Sequence, residues 1–292
     1  MEDIGLVLEG GGMRGAYTAG VLDYFHDSQI EFPFVSGASA GACNATSYVA
    51  RQRGRNYKVL VEYGSHPDYI SFKRALKQRE LFGMDFIFDI LPNQLVPFDF
   101  ESFFTSNTTL TVSTTDIDTG EPVYYDSFQG NEDLLKVIRA SSSLPMIAPS
   151  ITYKGRNLMD GGIADPIPIT PSIEAGNKKH VVVLTRNAGY VKKRMKFAWL
   201  FNHSYKQYPG LLKAMADRHE RYNKAVQQLE EMERNEEVYI IRPKDPLLVG
   251  RVERKKEKLH ALYLQGYKEA EAQGKQIRSF IETNIKEPLL VE

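Results

Sequence analysis

Ile4-Gly5-Leu6-Val7-Leu8-Glu9-Gly10-Gly11-Gly12-Met13-Arg14-Gly15 reads as a strand, a glycine turn and the start of a helix. Ile4–Leu8 is a short apolar run, the pattern of a strand buried on both faces. The glycines permit a tight turn and bring backbone N–H groups near whatever the turn faces. Arg14 to about Ser28 continues as a helix with Tyr17, Val21, Tyr24 and Phe25 on one side. A helix N-terminus offers unpaired donors and partial positive charge, so the turn suits an anion: a bound phosphate, or an oxyanion formed in a reaction. The same grammar recurs at once. Phe32–Ser36 is a second strand, Gly37-Ala38-Ser39-Ala40-Gly41 turns the chain, and Ala40 to about Arg51 is a second helix.

The pattern persists further along. Thr109–Thr115 is β-branched and alternating, and Asp118-Thr119-Gly120 turns it into Pro122–Tyr125. Asn131–Ala140 reads as a helix with Asn131 as its cap. Ile151–Tyr153 and Asn157–Met159 flank a hairpin turn at Lys154-Gly155-Arg156, and Val181–Thr185 is a strongly β-branched strand. Strands alternating with helices predict an α/β fold, a parallel-based sheet covered on both faces. The remainder differs: a charged helix from Leu211 to about Glu233, a short strand Val238–Ile241, and one long helix from Leu259 to about Thr283. No Gly/Ser/Pro linker isolates these elements, so they are expected to pack on the core.

Composition removes several classes. The 292 residues carry 37 Lys+Arg and 37 Asp+Glu, and a formal charge of zero gives no long-range field toward nucleic acid. The single cysteine, Cys43, excludes an internal disulfide and a cysteine zinc site, and fits a reducing compartment. There is no H-E-x-x-H and no acidic loop with calcium spacing, so no metal is expected. No run approaches the ~20 apolar residues of a membrane span, and no signal-peptide pattern opens the chain. The expected location is cytoplasmic, with peripheral membrane contact open. Lys192-Lys193-Arg194 and Lys196, beside Phe197, Trp199, Leu200 and Phe201, are a candidate for touching anionic lipid, against the reading of a solvated loop.

Two turns compete for the chemistry. Gly10-x-Gly12-x-x-Gly15 matches a dinucleotide fingerprint, which wants an acidic residue at the end of the second strand. That strand leads into Ser36-Gly37, and Glu31 precedes it at the wrong end. Gly37-Ala38-Ser39-Ala40-Gly41 has the pattern of a nucleophile elbow, with small residues around Ser39. A histidine is the usual base, but His26 lies late in a helix, and His180 sits at the N-terminal end of its strand. His219 and His260 lie in charged helices, and His66 and His203 in loops. Asp160, followed by Gly161 and Gly162, closes a strand, while Asp165 before Pro166 and Pro168 reads as a structural turn. Leu81–Phe104 is rich in phenylalanine, either an acyl-chain wall or lid, or ordinary core.

Gly10-Gly11-Gly12-Met13-Arg14-Gly15, Gly37-Ala38-Ser39-Ala40-Gly41 and Asp160-Gly161-Gly162, in that order, resemble the patatin-like phospholipase family. Arg139-Ala140-Ser141-Ser142-Ser143-Leu144-Pro145 is similar to a bacterial branch of it, and Tyr205–Asn223 and Val238–Ala270 look like that branch's tail segments. The resemblance implies a three-layer αβα Ser–Asp hydrolase fold over residues 1–188, with a mostly helical region 189–292 packed on it. It implies a dyad without histidine, Ser39 as nucleophile and Asp160 as base, and an oxyanion hole from the N–H groups of Gly10, Gly11 and Gly12. Arg14, Gly15, Gly37, Gly41, Gly161 and Gly162 match supporting motif positions, and the role of Arg14 is left unassigned. No cofactor is implied. The expected activity is hydrolysis of lipid carboxylic esters through an acyl-Ser39, of phospholipase A or lysophospholipase type. An esterase or thioesterase on soluble acyl compounds, and nucleotide binding at Gly10–Gly15, are the competing readings.

Overall fold

In the computed structural model, which describes residues 3–195 and 198–283, eight strands form one sheet. They are β1 (Ile4–Leu8), β2 (Phe34–Ala38), β3 (Thr109–Asp116), β4 (Pro122–Tyr125), β5 (Ile151–Tyr153), β6 (Arg156–Asp160), β7 (Lys179–Val183) and β8 (Val238–Ile241). Their order is β5-β6-β3-β2-β1-β7-β8, with β4 also paired to β3. The strands β3, β2, β1, β7 and β8 run parallel, while β4 and β6 run against β3, and β5 against β6.

The central strands are apolar on both faces because helices cover both. Ile4, Leu6 and Leu8 of β1 and Val181 and Val183 of β7 point to one face. There they meet α1 (Gly15–Asp27), α2 (Ala40–Val49), α3 (Asn131–Ser141) and, from far along the chain, α5 (Lys256–Ala272). Val7 and Val182 point to the other face, against Tyr222 and Leu229 of α4 (Pro209–Arg234). This is the three-layer α/β arrangement, with a strand and two long helices of the C-terminal part built into it.

Several boundaries differ from the sequence reading. Strands β2 and β7 end and begin two residues away from the β-branched runs, because parallel pairing sets them: Ala38 pairs with Ser113 and Ile4 with Lys179. His180 therefore lies inside β7, where its Nδ1 is 2.9 Å from Ser172 Oγ and burial pushes its pKa down to about 4. His203 lies in the short helix Ala198–Ser204, not in a loop. Gly130, not Asn131, occupies the N-cap of α3. The expected long C-terminal helix is broken at Gln273 into α5 and α6 (Gly274–Glu282), where a side chain at Gly274 would strike the Tyr24 hydroxyl. No helix among the described residues is long and apolar enough to cross a membrane.

The seam between α1 and α5 is unusually close. A Cβ on Gly20 would overlap the Tyr263 carbonyl oxygen, and one on Gly266 would overlap the Tyr17 carbonyl oxygen. Around this backbone contact, Tyr263 donates to Asp23 Oδ2 at 2.7 Å and Tyr17 donates to Glu269 Oε2 at 2.8 Å. Gly20→Ala or Gly266→Ala must push the helices apart, an overpacking cost of about 1–3 kcal/mol each. Both variants are expected to show a lower urea midpoint than wild type; an unchanged midpoint would mean the seam relaxes freely.

Candidate active site

The site is created by the way two strands share one edge of β3. Val112 and Ser113 pair with both β2 and β4, so those two strands lie on opposite edges. Thr114 and Thr115 pair with both β4 and β6, so β6 lies on the β2 edge. Strand β2 runs parallel to β3 and ends opposite Ser113, while β6 runs the other way and ends opposite Thr114. Their C-terminal ends, Ala38 followed by Ser39 and Asp160 itself, therefore meet head to head.

Ser39 is held in a strained conformation, φ 55° and ψ −126°, that turns β2 sharply into α2. The turn closes only because its neighbours are small. A Cβ at Gly37 would lie 2.7 Å from Ala42 N, and one at Gly41 would overlap the Leu8 carbonyl oxygen. Ser141 braces the turn. Its buried hydroxyl accepts from the Ser39 N–H at 2.9 Å and donates to the Ser113 carbonyl at 2.6 Å.

Asp160 is equally braced. Its N–H donates to the Ser143 carbonyl at 2.8 Å, and its carbonyl accepts from Thr115 Oγ1 at 2.8 Å. Its Oδ1 accepts from the Gly162 N–H at 2.8 Å. Gly161 must lie where it does without a side chain, since a Cβ would overlap the Ser113 carbonyl oxygen. Burial pushes the Asp160 carboxyl above its ordinary value, while Arg218, the Ser39 hydroxyl, Arg251 and the Gly162 N–H pull it back. Arg218 is tied in by its Nε, which donates to the Gly162 carbonyl at 2.6 Å.

The glycine turn lies across the elbow. A Cβ on Gly10 would sit 2.9 Å from the Ala38 carbonyl oxygen and 3.1 Å from Ser39 Cβ. Gly12 has φ +57°, and a Cβ there would sit 2.7 Å from the Arg251 carbonyl oxygen. Met13 N–H donates to that carbonyl and Arg14 N–H to the Gly11 carbonyl, while the N–H groups of Gly10, Gly11 and Gly12 have no partner among the described residues. Gly15 lets the first turns of α1 and α2 touch, its carbonyl accepting from Asn44 Nδ2 at 2.9 Å. Arg14 is buried beneath the turn, with Nη2 3.4 Å from Thr185 Oγ1, and the Glu9 carboxylate nearby offsets part of its burial.

Two cavities meet at Ser39, and Gly12, Phe82 and Leu144 line both. One, of about 110 Å³, is largely apolar, with walls that include Leu60, Met84, Phe88, Phe98 and Ile138. Phe82, Phe88 and Phe98 of the aromatic stretch thus form cavity wall, while Phe86 and Phe103 are buried in the core. Cys43 behaves as part of this wall: burial pushes its thiol up to about 11. The second cavity, of about 130 Å³, holds Asp160, the glycine turn, Glu9, Lys192, Arg218 and Arg251.

None of the six histidines lines either cavity, and among the described residues no three His, Cys, Asp or Glu side chains cluster to hold a metal. Asp165 accepts from the Tyr124 hydroxyl at 2.7 Å and lines neither cavity. Glu31 is exposed, pairs with Arg51 and lies before the start of β2, at the opposite end from the site. Lys193 and Arg194 are exposed, but Lys192 faces the second cavity, away from the surface role read from its basic run. Lys196 and Phe197, with the side chains of Trp199 and Leu200, lie outside the described residues. No local spacing in the sequence links Arg218 and Arg251 to Lys192, so their convergence has no sequence signal.

A family model described as patatin-like phospholipase matches residues 6–173, and a model described as a domain of unknown function, DUF6363, matches residues 208–282. The uncharacterized protein YjjU of Escherichia coli (strain K12) is 33% identical over 187 residues, 62% of this chain and 52% of YjjU. The lysophospholipase NTE1 of Meyerozyma guilliermondii is 31% identical over 195 residues, 62% of this chain and 12% of NTE1. The chain therefore spans about half the length of the first relative and a small part of the second. Among solved structures, VipD from Legionella pneumophila aligns at a TM-score of 0.47 and 14% identity, over 94% of this chain and 67% of that one.

The raised Asp160 carboxyl has a consequence for stability. The folded chain keeps a proton on Asp160 above its ordinary value of 3.8, whereas the unfolded chain does not. Stability therefore falls as pH rises from that value to the raised one, and the loss persists above it. Asp160→Asn keeps an acceptor for the Gly162 N–H and removes the titration. Across about pH 4 to 8, the wild-type urea midpoint should fall relative to that of the variant. A midpoint that instead rises relative to the variant would mean the carboxyl is not raised.

Proposed function

With more than half of its length matched by that family's model, the chain belongs to the patatin-like phospholipase family, and from this premise we propose that it is a serine hydrolase of lipid carboxylic esters. One observation supports the reading: the turn after β2 and the end of β6 meet at Ser39 and Asp160 beside the glycine turn, whose Gly10, Gly11 and Gly12 N–H groups have no backbone partner among the described residues.

In this reading Asp160 accepts the Ser39 proton as the oxygen attacks the ester carbonyl. The carbonyl oxygen gains negative charge, which the N–H groups of Gly11 and Gly12 hold, with Gly10 nearby. The alcohol leaves with the proton that Asp160 took from Ser39, and an acyl-Ser39 remains. Water, deprotonated by Asp160, then attacks the acyl carbon, and a fatty acid is released as Ser39 takes that proton back from Asp160. A carboxylate is a weak base at neutral pH, and burial of Asp160 brings it nearer to the working range. Preorganised donors supply much of the rest, since one oxyanion donor is typically worth ~10²–10³ in rate. The largely apolar cavity beside Ser39 accommodates the acyl chain. Residues 1–188 carry the reacting groups, and Lys192, Arg218, Arg251 and Val252 complete the walls of the second cavity.

A fluorophosphonate probe should form a single covalent adduct on Ser39, read by intact and peptide mass spectrometry, and Ser39→Ala should form none. Asp160→Asn should remain folded and lose about 10²–10⁴ in kcat/KM on a fatty-acyl ester. Near wild-type turnover by Asp160→Asn would remove Asp160 from the dyad.

A further inference from the structure

Phe72 and Leu76 are 56% and 89% exposed on one short helix, Phe72–Gln78. Four residues apart, they lie one above the other on the same face. Lys73 and Lys77 repeat that spacing one residue on and form the adjoining stripe, and Arg79 follows the end of the helix. These three cations are exposed and form no ion pair with a described residue. Residues 71–80 hold four cations and one carboxylate, in a chain whose formal charge is zero. That carboxylate, Glu80, is already engaged: it accepts from the Met84 N–H at 2.9 Å and lies 3.5 Å from Arg74 Nε.

The helix is pinned at its base. Ile70 and Phe82 pair as an antiparallel bridge, Ser71 N–H donates to the Leu81 carbonyl at 2.9 Å, and Gly83 N–H donates to the Tyr69 carbonyl at 2.9 Å. Ser71 Oγ caps the first turn, accepting from the Arg74 N–H at 3.2 Å. Arg74 reaches back to the base, its Nη2 donating to the Asp68 carbonyl at 3.0 Å and the Leu81 carbonyl at 3.3 Å. Ala75 packs against the core. With the inner face committed, Phe72 and Leu76 are left in water, where apolar side chains of their size are unfavourable. The base of the helix is also cavity wall: Tyr69 lines the apolar cavity, and Phe82 lines both cavities that meet at Ser39.

We propose that the helix Phe72–Gln78 docks on an anionic lipid bilayer. Phe72 and Leu76 enter the acyl layer, while Lys73, Lys77 and Arg79 stay among the head-group phosphates. The wall that the two cavities share is thereby brought to the membrane. Lysine suits this arrangement, because its stem can lie along apolar surface while its ammonium stays in the polar layer. An apolar stripe beside a basic one is the pattern of a helix that lies in a membrane interface. A protein partner fits less well. Lysine is depleted in the cores of protein interfaces, and a helix about 10 Å long is too short to build one of standard size. The docking is a binding event and stands whether or not Ser39 reacts.

Co-sedimentation with phosphatidylcholine vesicles, with and without phosphatidylglycerol, tests the proposal. All proteins carry Ser39→Ala, so the vesicles stay intact and binding is read apart from turnover. The parent should bind the phosphatidylglycerol-containing vesicles, and more weakly as salt is raised. Phe72→Ser/Leu76→Ser and Lys73→Gln/Lys77→Gln/Arg79→Gln should each bind at least tenfold more weakly. Their urea midpoints should match the parent's, since the altered side chains are exposed. Lys193→Gln/Arg194→Gln, in the other basic run, should bind as the parent does. A parent that binds neither vesicle overturns the proposal, as does equal binding to phosphatidylcholine alone. Binding that either helix variant retains, or that only Lys193→Gln/Arg194→Gln removes, overturns it as well.

Discussion

The structure depends on one shared edge. Strand β3 is long enough to pair with β2 along its first part and with β6 along its last, both on the same side, because β4 takes the other. Two strands of opposite direction thus end face to face over consecutive residues of β3. Backbone hydrogen bonds on the sheet position Ala38 and Asp160, and the tight turn at Ser39 sets the serine from there. The serines of the segment after α3 reinforce the junction, Ser141 from the Ser39 side and Ser143 from the Asp160 side.

Close approach of backbone is the second requirement. Gly10, Gly37, Gly41 and Gly161 each occupy positions where a Cβ would meet main-chain atoms of an adjoining segment. These contacts stack the glycine turn, the elbow and the end of β6 within a few ångströms. The same device recurs between α1 and α5, where Gly20 and Gly266 let two helices touch backbone to backbone. The later part of the chain is thereby drawn onto the first helix, and the Arg251 carbonyl is delivered to the glycine turn.

Electrostatics then distinguishes the two cavities. On one side of Ser39 the walls are aliphatic and aromatic, and Arg55 among them is tied to Ser47 Oγ and the Val96 carbonyl, each at 3.1 Å. On the other side Lys192, Arg218 and Arg251, from widely separated positions, converge with the carboxylates Glu9 and Asp160. Asp160 sits at that border, its proton affinity raised by burial and moderated by Arg218 and Arg251.

Much of this was legible in the residues themselves. The apolar run Ile4–Leu8, the glycine turn, the small-residue elbow at Ser39 and the Asp160-Gly161-Gly162 step are local patterns, and local sterics make them readable. The order of strands and helices followed from the same periodicities. Strand ends were less accurate, since parallel pairing with β1 and β3, not composition, sets where β2 and β7 stop. The α5–α6 break at Gln273 departs from the continuous helix read over Leu259 to about Thr283, and Gly274 just after it lies against the Tyr24 hydroxyl. Lys192 belongs to the basic run that suggests contact with anionic lipid or a solvated loop, and no local pattern singles out Arg218 or Arg251. Their convergence has no sequence signature, because it arises only when α4 covers the second face of the sheet and the loop before α5 docks on the glycine turn. Sequence alone singled out the turn at Ser39 and, through the family resemblance, Asp160 as its expected partner, since short motifs are properties of residue type and local turn. The tertiary structure decided which distant charges face them, since that depends on how far-separated segments pack.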